Sequence, residues 1–204
     1  ARERLYGADA AVTLRTRLNL ASLLARRKQF DEALRMEDEL LQARRRLLGP
    51  EHPDTVFLEV NHATTMHRAG RPGALVQAQL DRARPLANRV LGTEHPQSIM
   101  GEMMQGLVWL RAGEFAKAIG QFEALRELSE EKREPGDDPN ARIGWALAQA
   151  LEGAGRQDEA RAILASDVQW LLDLPAGKRE AKHEDVLEFI QEETAHRAAR
   201  SPAP

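Results

Sequence analysis

The 204-residue sequence contains no cysteine. Disulfides, thiolate metal sites and cysteine nucleophiles are therefore excluded. Aromatic residues make up only 4% of the chain, while Ala, Leu, Arg and Glu dominate; that mix suits long helices and serves strands poorly. No apolar run approaches the roughly 18 residues that a membrane-spanning helix requires. The formal net charge is -3, so no bulk electrostatic pull toward nucleic acid is expected. No signal peptide is visible, and a cytoplasmic chain is expected. No Ser-His-Asp set, glycine-rich phosphate loop or pair of catalytic carboxylates can be argued from spacing, so neither catalysis nor a cofactor is expected. Arg greatly outnumbers Lys, a bias that points to a high-GC bacterial genome.

What the chain does have is a period. Pro53, Pro96 and Pro139 lie 43 residues apart. The phrase Leu48-Gly49-Pro50-Glu51-His52-Pro53-Asp54-Thr55 returns as Leu91-Gly92-Thr93-Glu94-His95-Pro96-Gln97-Ser98, with worn copies at Gly136–Asn140 and Tyr6–Thr13. A fixed period of this size marks an array in which each unit contacts its neighbours and offers an extended surface rather than a closed pocket.

In the first, third and fourth units a small residue is followed twelve positions later by Ala: Ala21 and Ala33, Gly106 and Ala118, Ala148 and Ala160. Small side chains at paired points let two antiparallel helices approach closely. Gly70, Gly113 and Gly155 stand between them, where a left-handed turn ends the first helix; Lys28 takes that place in the first unit. The spacing predicts leading helices over 10–27, 53–69, 96–112 and 139–154, and following helices over 30–47, 73–91, 115–132 and 157–172. Proline at the first helical position explains the starts. The array so defined covers 9–173, in repeats 9–50, 51–93, 94–136 and 137–173. Residues 1–8 read as the end of a preceding repeat, so that further repeats or another domain are expected upstream. An amphipathic helix over 179–198, with Val186, Leu187, Ile190 and Ala195 on one face, is predicted to cap the array, and 199–204 form a tail.

Asn19-Leu20-Ala21 in a first helix, Phe30-Asp31-Glu32-Ala33 opening a second, and the Leu-Gly-Pro-Glu-His-Pro-Asp-Thr phrase between units resemble the tetratricopeptide repeat. The likeness is to the long form of kinesin light chains and bacterial signalling proteins, and it covers about residues 5 to 172. It implies an all-α, right-handed superhelix of antiparallel helix pairs, about four units long. First helices line its concave face, which binds a protein or peptide. It also implies an alternative, that the chain is the C-terminal regulatory arm of a larger bacterial signalling protein, packing on a kinase or nucleotide-binding domain of its own chain. No nucleic acid, membrane or metal partner is expected.

By phase, the first repeat contributes Arg15, Asn19, Ser22 and Arg26 to the concave face, and the second Phe57, Asn61, Thr64 and Arg68. The third contributes Met100, Met103, Leu107 and Arg111, and the fourth Arg142, Trp145 and Gln149. Arg26, Arg68 and Arg111 share one phase and are expected to form a basic ladder for carboxylates or carbonyls of an extended ligand. Each also ends a helix, where a cation is favoured in any case. Asn19 and Asn61 can donate to and accept from a ligand backbone or bridge neighbouring repeats. Met100, Met103 and Met104 with Leu107 and Trp145 suit an apolar anchor or fill the core. The carboxylate clamp of chaperone-binding relatives requires Lys where Leu18 stands and basic residues where Met100 and Met104 stand, so an acidic chaperone tail is not the expected ligand. His52 and His95 lie one repeat apart, too far to converge on one metal ion.

Overall fold

A computed structural model describes residues 11–131 and 140–199. The predicted boundary proline Pro139, most of the worn phrases at Gly136–Asn140 and Tyr6–Thr13, residues 1–8 and the tail beyond 199 lie outside that range. The chain divides into two compact units, the first ending at Met104 and the second beginning at Gln105.

The first unit holds α1 (Ala11–Arg26), α2 (Phe30–Leu47), α3 (Pro53–Arg68), α4 (Gly73–Val90) and the opening turns of α5 (Pro96–Ala112). These are the predicted helices to within one residue at each end. Each of α2, α3 and α4 packs on the helix before it. Leu14, Leu40, Leu41 and Leu58 form one core cluster, and Val56, Val60, Ala83 and Ala87 another. Ala21 and Ala33, the paired small residues, are both completely buried.

The turn inside each helix pair closes the same way. Lys28, Gly70, Gly113 and Gly155 all have positive φ, between 61° and 81°. In the α3–α4 turn the Gly70 N–H donates to the His67 carbonyl (3.0 Å) and the Arg71 N–H to the Met66 carbonyl (3.0 Å). This 5→2 and 6→1 pair satisfies the last carbonyls of the helix. The repeated phrase between pairs has its own logic. Gly49 adopts φ of 91°, His52 caps α3, and Pro53 takes the first helical position.

Carboxylates join neighbouring helices inside the first unit. Glu37 on α2, 2% exposed, accepts from Thr65 Oγ1 on α3 (2.9 Å) and lies 3.2 Å from His62 Nδ1. Glu59 on α3 accepts from Arg45 Nε on α2 (2.9 Å) and Gln79 Nε2 on α4 (2.8 Å). Glu102 on α5 accepts from Arg84 Nε (3.1 Å) and Asn88 Nδ2 (3.1 Å) on α4. A sheltered carboxylate is tolerable only with such partners, so these pairings fix which helix faces meet.

The second unit holds the rest of α5, then α6 (Phe115–Glu131), α7 (Asn140–Gly153), α8 (Gln157–Ile163), α9 (Gln169–Asp173) and α10 (Ala181–Ala198). The predicted helix over 157–172 is not one α-helix. A π-helical turn, Leu164–Val168, separates α8 from α9. Its extra residue turns Asp167 inward, where it accepts from Arg126 Nε (2.6 Å) and Ser166 Oγ (2.6 Å). Asp167 occupies the space above Gly144, where a Cβ would stand 2.4 Å from the Asp167 Cβ.

Between Asp173 and α10, Ala176–Lys178 makes a 3-10 turn. α10 starts two residues later than predicted, capped reciprocally by Glu180 and His183. Its contact face also differs from the prediction. Ala195 is exposed, while Glu193 is the buried residue and Phe189 packs against Trp145. The hydrophobic pattern alone passes over a charged residue that finds its partner on another helix.

Candidate ligand-binding face

In the first unit the predicted face is largely open on α1. Arg15, Asn19, Ser22 and Arg26 are all exposed. Ser22 Oγ donates to the Leu18 carbonyl (3.0 Å). Arg15 and Phe57 line a groove of about 730 Å³ with Leu18, Leu47 and Leu48. Arg44 forms part of its wall and donates to the Asp54 carbonyl. Burial pushes the Arg44 guanidinium below its ordinary range, opposed by the nearby Asp54 carboxylate.

On α3 the candidates are more engaged. Asn61 Oδ1 accepts from Gln97 Nε2 on α5 (2.7 Å), so this amide bridges neighbouring repeats. Thr64 Oγ1 returns to the Val60 carbonyl (3.0 Å). The Arg68 guanidinium lies over the Phe30 ring, 5.7 Å from its centroid. Met100 packs against the Val56–Val60 cluster, and Met103 is 3% exposed. The methionines therefore fill core space between helices, where an adaptable thioether packs irregular gaps. An open methionine patch does not describe this surface. Leu107 in the second unit is likewise fully buried.

Three of the remaining candidates of the second unit meet a helix of their own chain. Arg111 donates to Glu193 of α10 from Nε (3.2 Å) and Nη2 (2.6 Å), and these side chains are only 8% and 5% exposed. His196 Nδ1 also contacts Arg111. Arg142 stacks over the Phe189 ring at 5.0 Å and donates to the Asp185 carbonyl (3.4 Å). Trp145, 6% exposed, meets the Phe189 ring edge-on at 5.7 Å. Gln149 stays half-buried on the same helix. Further along, Arg197 lies 3.7 Å from Glu152. The start of α7 thus pairs with the start of α10 and its end with the end, so the two helices run in the same direction. Arg26, Arg68 and Arg111 share a sequence phase but not a setting: one is exposed, one covers a ring, and one holds a buried carboxylate.

Residues 13–54 match the family model described as the tetratricopeptide repeat. That stretch of the chain thus reads as one tetratricopeptide repeat. Three solved structures share its fold. The first is BtubC (BKLC) from P. vanneervenii, at 14% identity and TM-score 0.64, matched over 94% of this chain and 67% of that one. The second is a putative kinesin light chain with nearly identical TPR-like repeats from Podosopora anserina, at 18% identity and TM-score 0.66, over 92% and 97% of the two chains. A single-substitution variant of that second protein matches at 17% identity and TM-score 0.66, over 91% and 96%. No curated protein matches the sequence.

The tetratricopeptide scaffold supports a general protein-interaction role. The candidate side chains in this chain are guanidinium, amide and indole groups held on helices. His52 and His95, conspicuous in the sequence, have a local task. Their Nδ1 atoms accept from the backbone N–H groups of Asp54 and Gln97 (3.1 Å each), capping α3 and α5. Spacing alone raises only the metal question for these histidines and misses the cap. Their position directly before a helix-starting proline is the signal that could have found it. Among the described residues, no group of three or more His, Asp or Glu could hold a metal ion, and no helix is long and apolar enough to cross a membrane.

Proposed function

We propose that this chain is a scaffold that recognises a protein or peptide segment on the leading-helix face of its repeats, without chemistry of its own. One observation carries the reading. Arg111, Arg142 and Trp145, chosen by repeat phase alone, grip a helical segment through a two-point ion pair, a cation–π contact and an edge-on aromatic pair. These contacts give an arriving segment directional recognition and apolar cover together. The exposed Arg15, Asn19 and Arg26 on α1 extend the same kind of surface to a segment that needs backbone and carboxylate partners.

The test is a peptide-display selection run in parallel on the wild-type chain and on an Asn19→Ala, Arg26→Glu, Arg68→Glu variant. Helicity is checked in both by circular dichroism. Peptides enriched by the wild type and lost by the folded variant support the reading. Peptides enriched equally by both, or none by either, overturn it.

A further inference from the structure

Helix α10 occupies its seat in an unusual way. Of its residues only Glu193, a charged one, is buried. By contrast α3 buries nine residues, most of them apolar or hydrogen-bonded into the neighbouring helices. Val186, Leu187, Phe189 and Ile190 are only half-buried. The hold on α10 therefore comes from a few directed contacts along one stripe rather than from a continuous core. Phe189 lies between Trp145 and Arg142, Glu193 follows one turn later on Arg111, and Arg197 one turn later still beside Glu152. The i, i+4, i+8 spacing places all three groups on one helix face.

The seat itself is demanding. Without α10, the Arg111 guanidinium and the Trp145 indole lose the carboxylate and the ring that cover them. A sheltered cation and a large aromatic surface favour whatever restores both. The connection to α10 permits exchange. Pro175, Ala176, Gly177 and Lys178 are exposed, and the base of α10 is tied by an edge-on contact of Trp170 with His183 at 5.6 Å and by Arg179, which donates to the Leu174 carbonyl (2.9 Å) and lies 3.9 Å from Glu184. The packing of α7 on α8 and on the π turn is made between those elements themselves.

We propose that α10 is a resident stand-in for the ligand of this face. The partner it stands in for is an amphipathic helix that presents an aromatic ring and, four residues later, a carboxylate. This rests on the leading-helix reading above and adds to it the partner's chemistry and its regulation. The partner competes with α10, so the face is gated by the chain's own C-terminal helix. A helix lacking either the ring or the acid forgoes one of the two directed contacts that α10 makes and does not displace it. The resident helix lowers the apparent affinity of any competitor by the fraction of time the seat is empty.

The experiment uses the full chain and a fluorescein-labelled peptide of residues 181–198, read by anisotropy. The peptide binds the Phe189→Ala, Glu193→Ala chain, whose own α10 is unseated, about tenfold or more tighter than it binds the wild type. Adding Arg111→Glu to that chain abolishes the gain, and a peptide carrying Glu193→Arg recovers it. The same peptide carrying Phe189→Ala does not bind. Three results overturn the proposal: no binding to the double variant while its helicity is intact, loss of fold in the double variant, or equal affinity for the double variant and the wild type. The second would make α10 a cap essential to the fold. None of the three touches the display selection above, whose Asn19, Arg26 and Arg68 variant probes the scaffold reading independently.

Discussion

Gln97 reaches back from α5 to Asn61 on α3, its amide nitrogen 2.7 Å from the Asn61 side-chain oxygen, and it also donates to the Phe57 carbonyl at 3.2 Å. Gln97 is 8% exposed, so its amide depends on these acceptors. Asn61 thus supports the junction between repeats, whatever else it contacts. Asn61→Ala should lower the unfolding free energy by about 1 kcal/mol, the net value of one such bond plus part of the cost of stranding Gln97. Urea titration followed by circular dichroism measures this. Unchanged stability would mean that the Gln97 amide is satisfied without Asn61.

The four intra-repeat turns form a natural series, because one of them lacks glycine. Lys28 holds φ of 61°, where a side chain is strained, while Gly113 holds φ of 78° in the equivalent place. Packing does not decide the Gly113 position: a Cβ there would meet nothing within 4 Å. Lys28→Gly should therefore stabilise the chain by about 0.5–1 kcal/mol, and Gly113→Ala should destabilise it by about 1 kcal/mol. Thermal melts of the two variants should shift in opposite directions. A shift of the same sign in both would show that backbone strain does not govern these turns.

Most of the helix pattern could be read from the sequence because its causes are local. Proline at N1, glycine in the left-handed turn and paired small residues each act within a few positions of where they stand. Helix ends at Arg26, Leu47 and Arg68 accordingly lie within a residue of expectation. What could not be read depends on partners far along the chain. Glu193 is paired across 82 residues with Arg111, and Asp167 across 41 with Arg126. Periodicity treats both acids as solvent-facing. It therefore assigns Ala195 to the contact face of α10 and an unbroken helix to 157–172. Phase alone chose the candidate residues. It did not show that Met103 and Leu107 point into the core, nor that Arg111, Arg142 and Trp145 meet residues of α10.

The histidine caps give a third prediction. His52 Nδ1 accepts from the Asp54 N–H, which requires a lone pair on that nitrogen, while Asp54 sits in the first turn of α3. His52→Ala should cost about 1 kcal/mol, and His52→Asn or His52→Asp should restore most of it, because either supplies an oxygen acceptor at the cap. Added zinc should leave the melting temperature of the wild type unchanged. A zinc-dependent rise in melting temperature that disappears in His52→Asn would replace capping with metal binding.

A glycine at a helix crossing inside a helix pair sets a sharp steric demand. A Cβ at Gly106 on α5 would stand 2.4 Å from Cε1 of Phe122, a ring on α6 that is completely buried. The ring cannot swing out without leaving its own cavity, so Gly106→Ala must either push the helices apart or force the ring off its rotamer. A cost of about 1–3 kcal/mol follows. The gain of replacing a helical glycine, about 1 kcal/mol at most, offsets it only in part. Phe122→Leu alone should also destabilise, through lost packing. Combined with Gly106→Ala, however, it should cost less than the sum of the two single changes, because the shorter side chain vacates the space the new methyl needs. A double-mutant cycle by chemical denaturation gives that coupling. Strict additivity would mean that Gly106 and Phe122 do not compete for the same volume, and the close helix approach would need another cause.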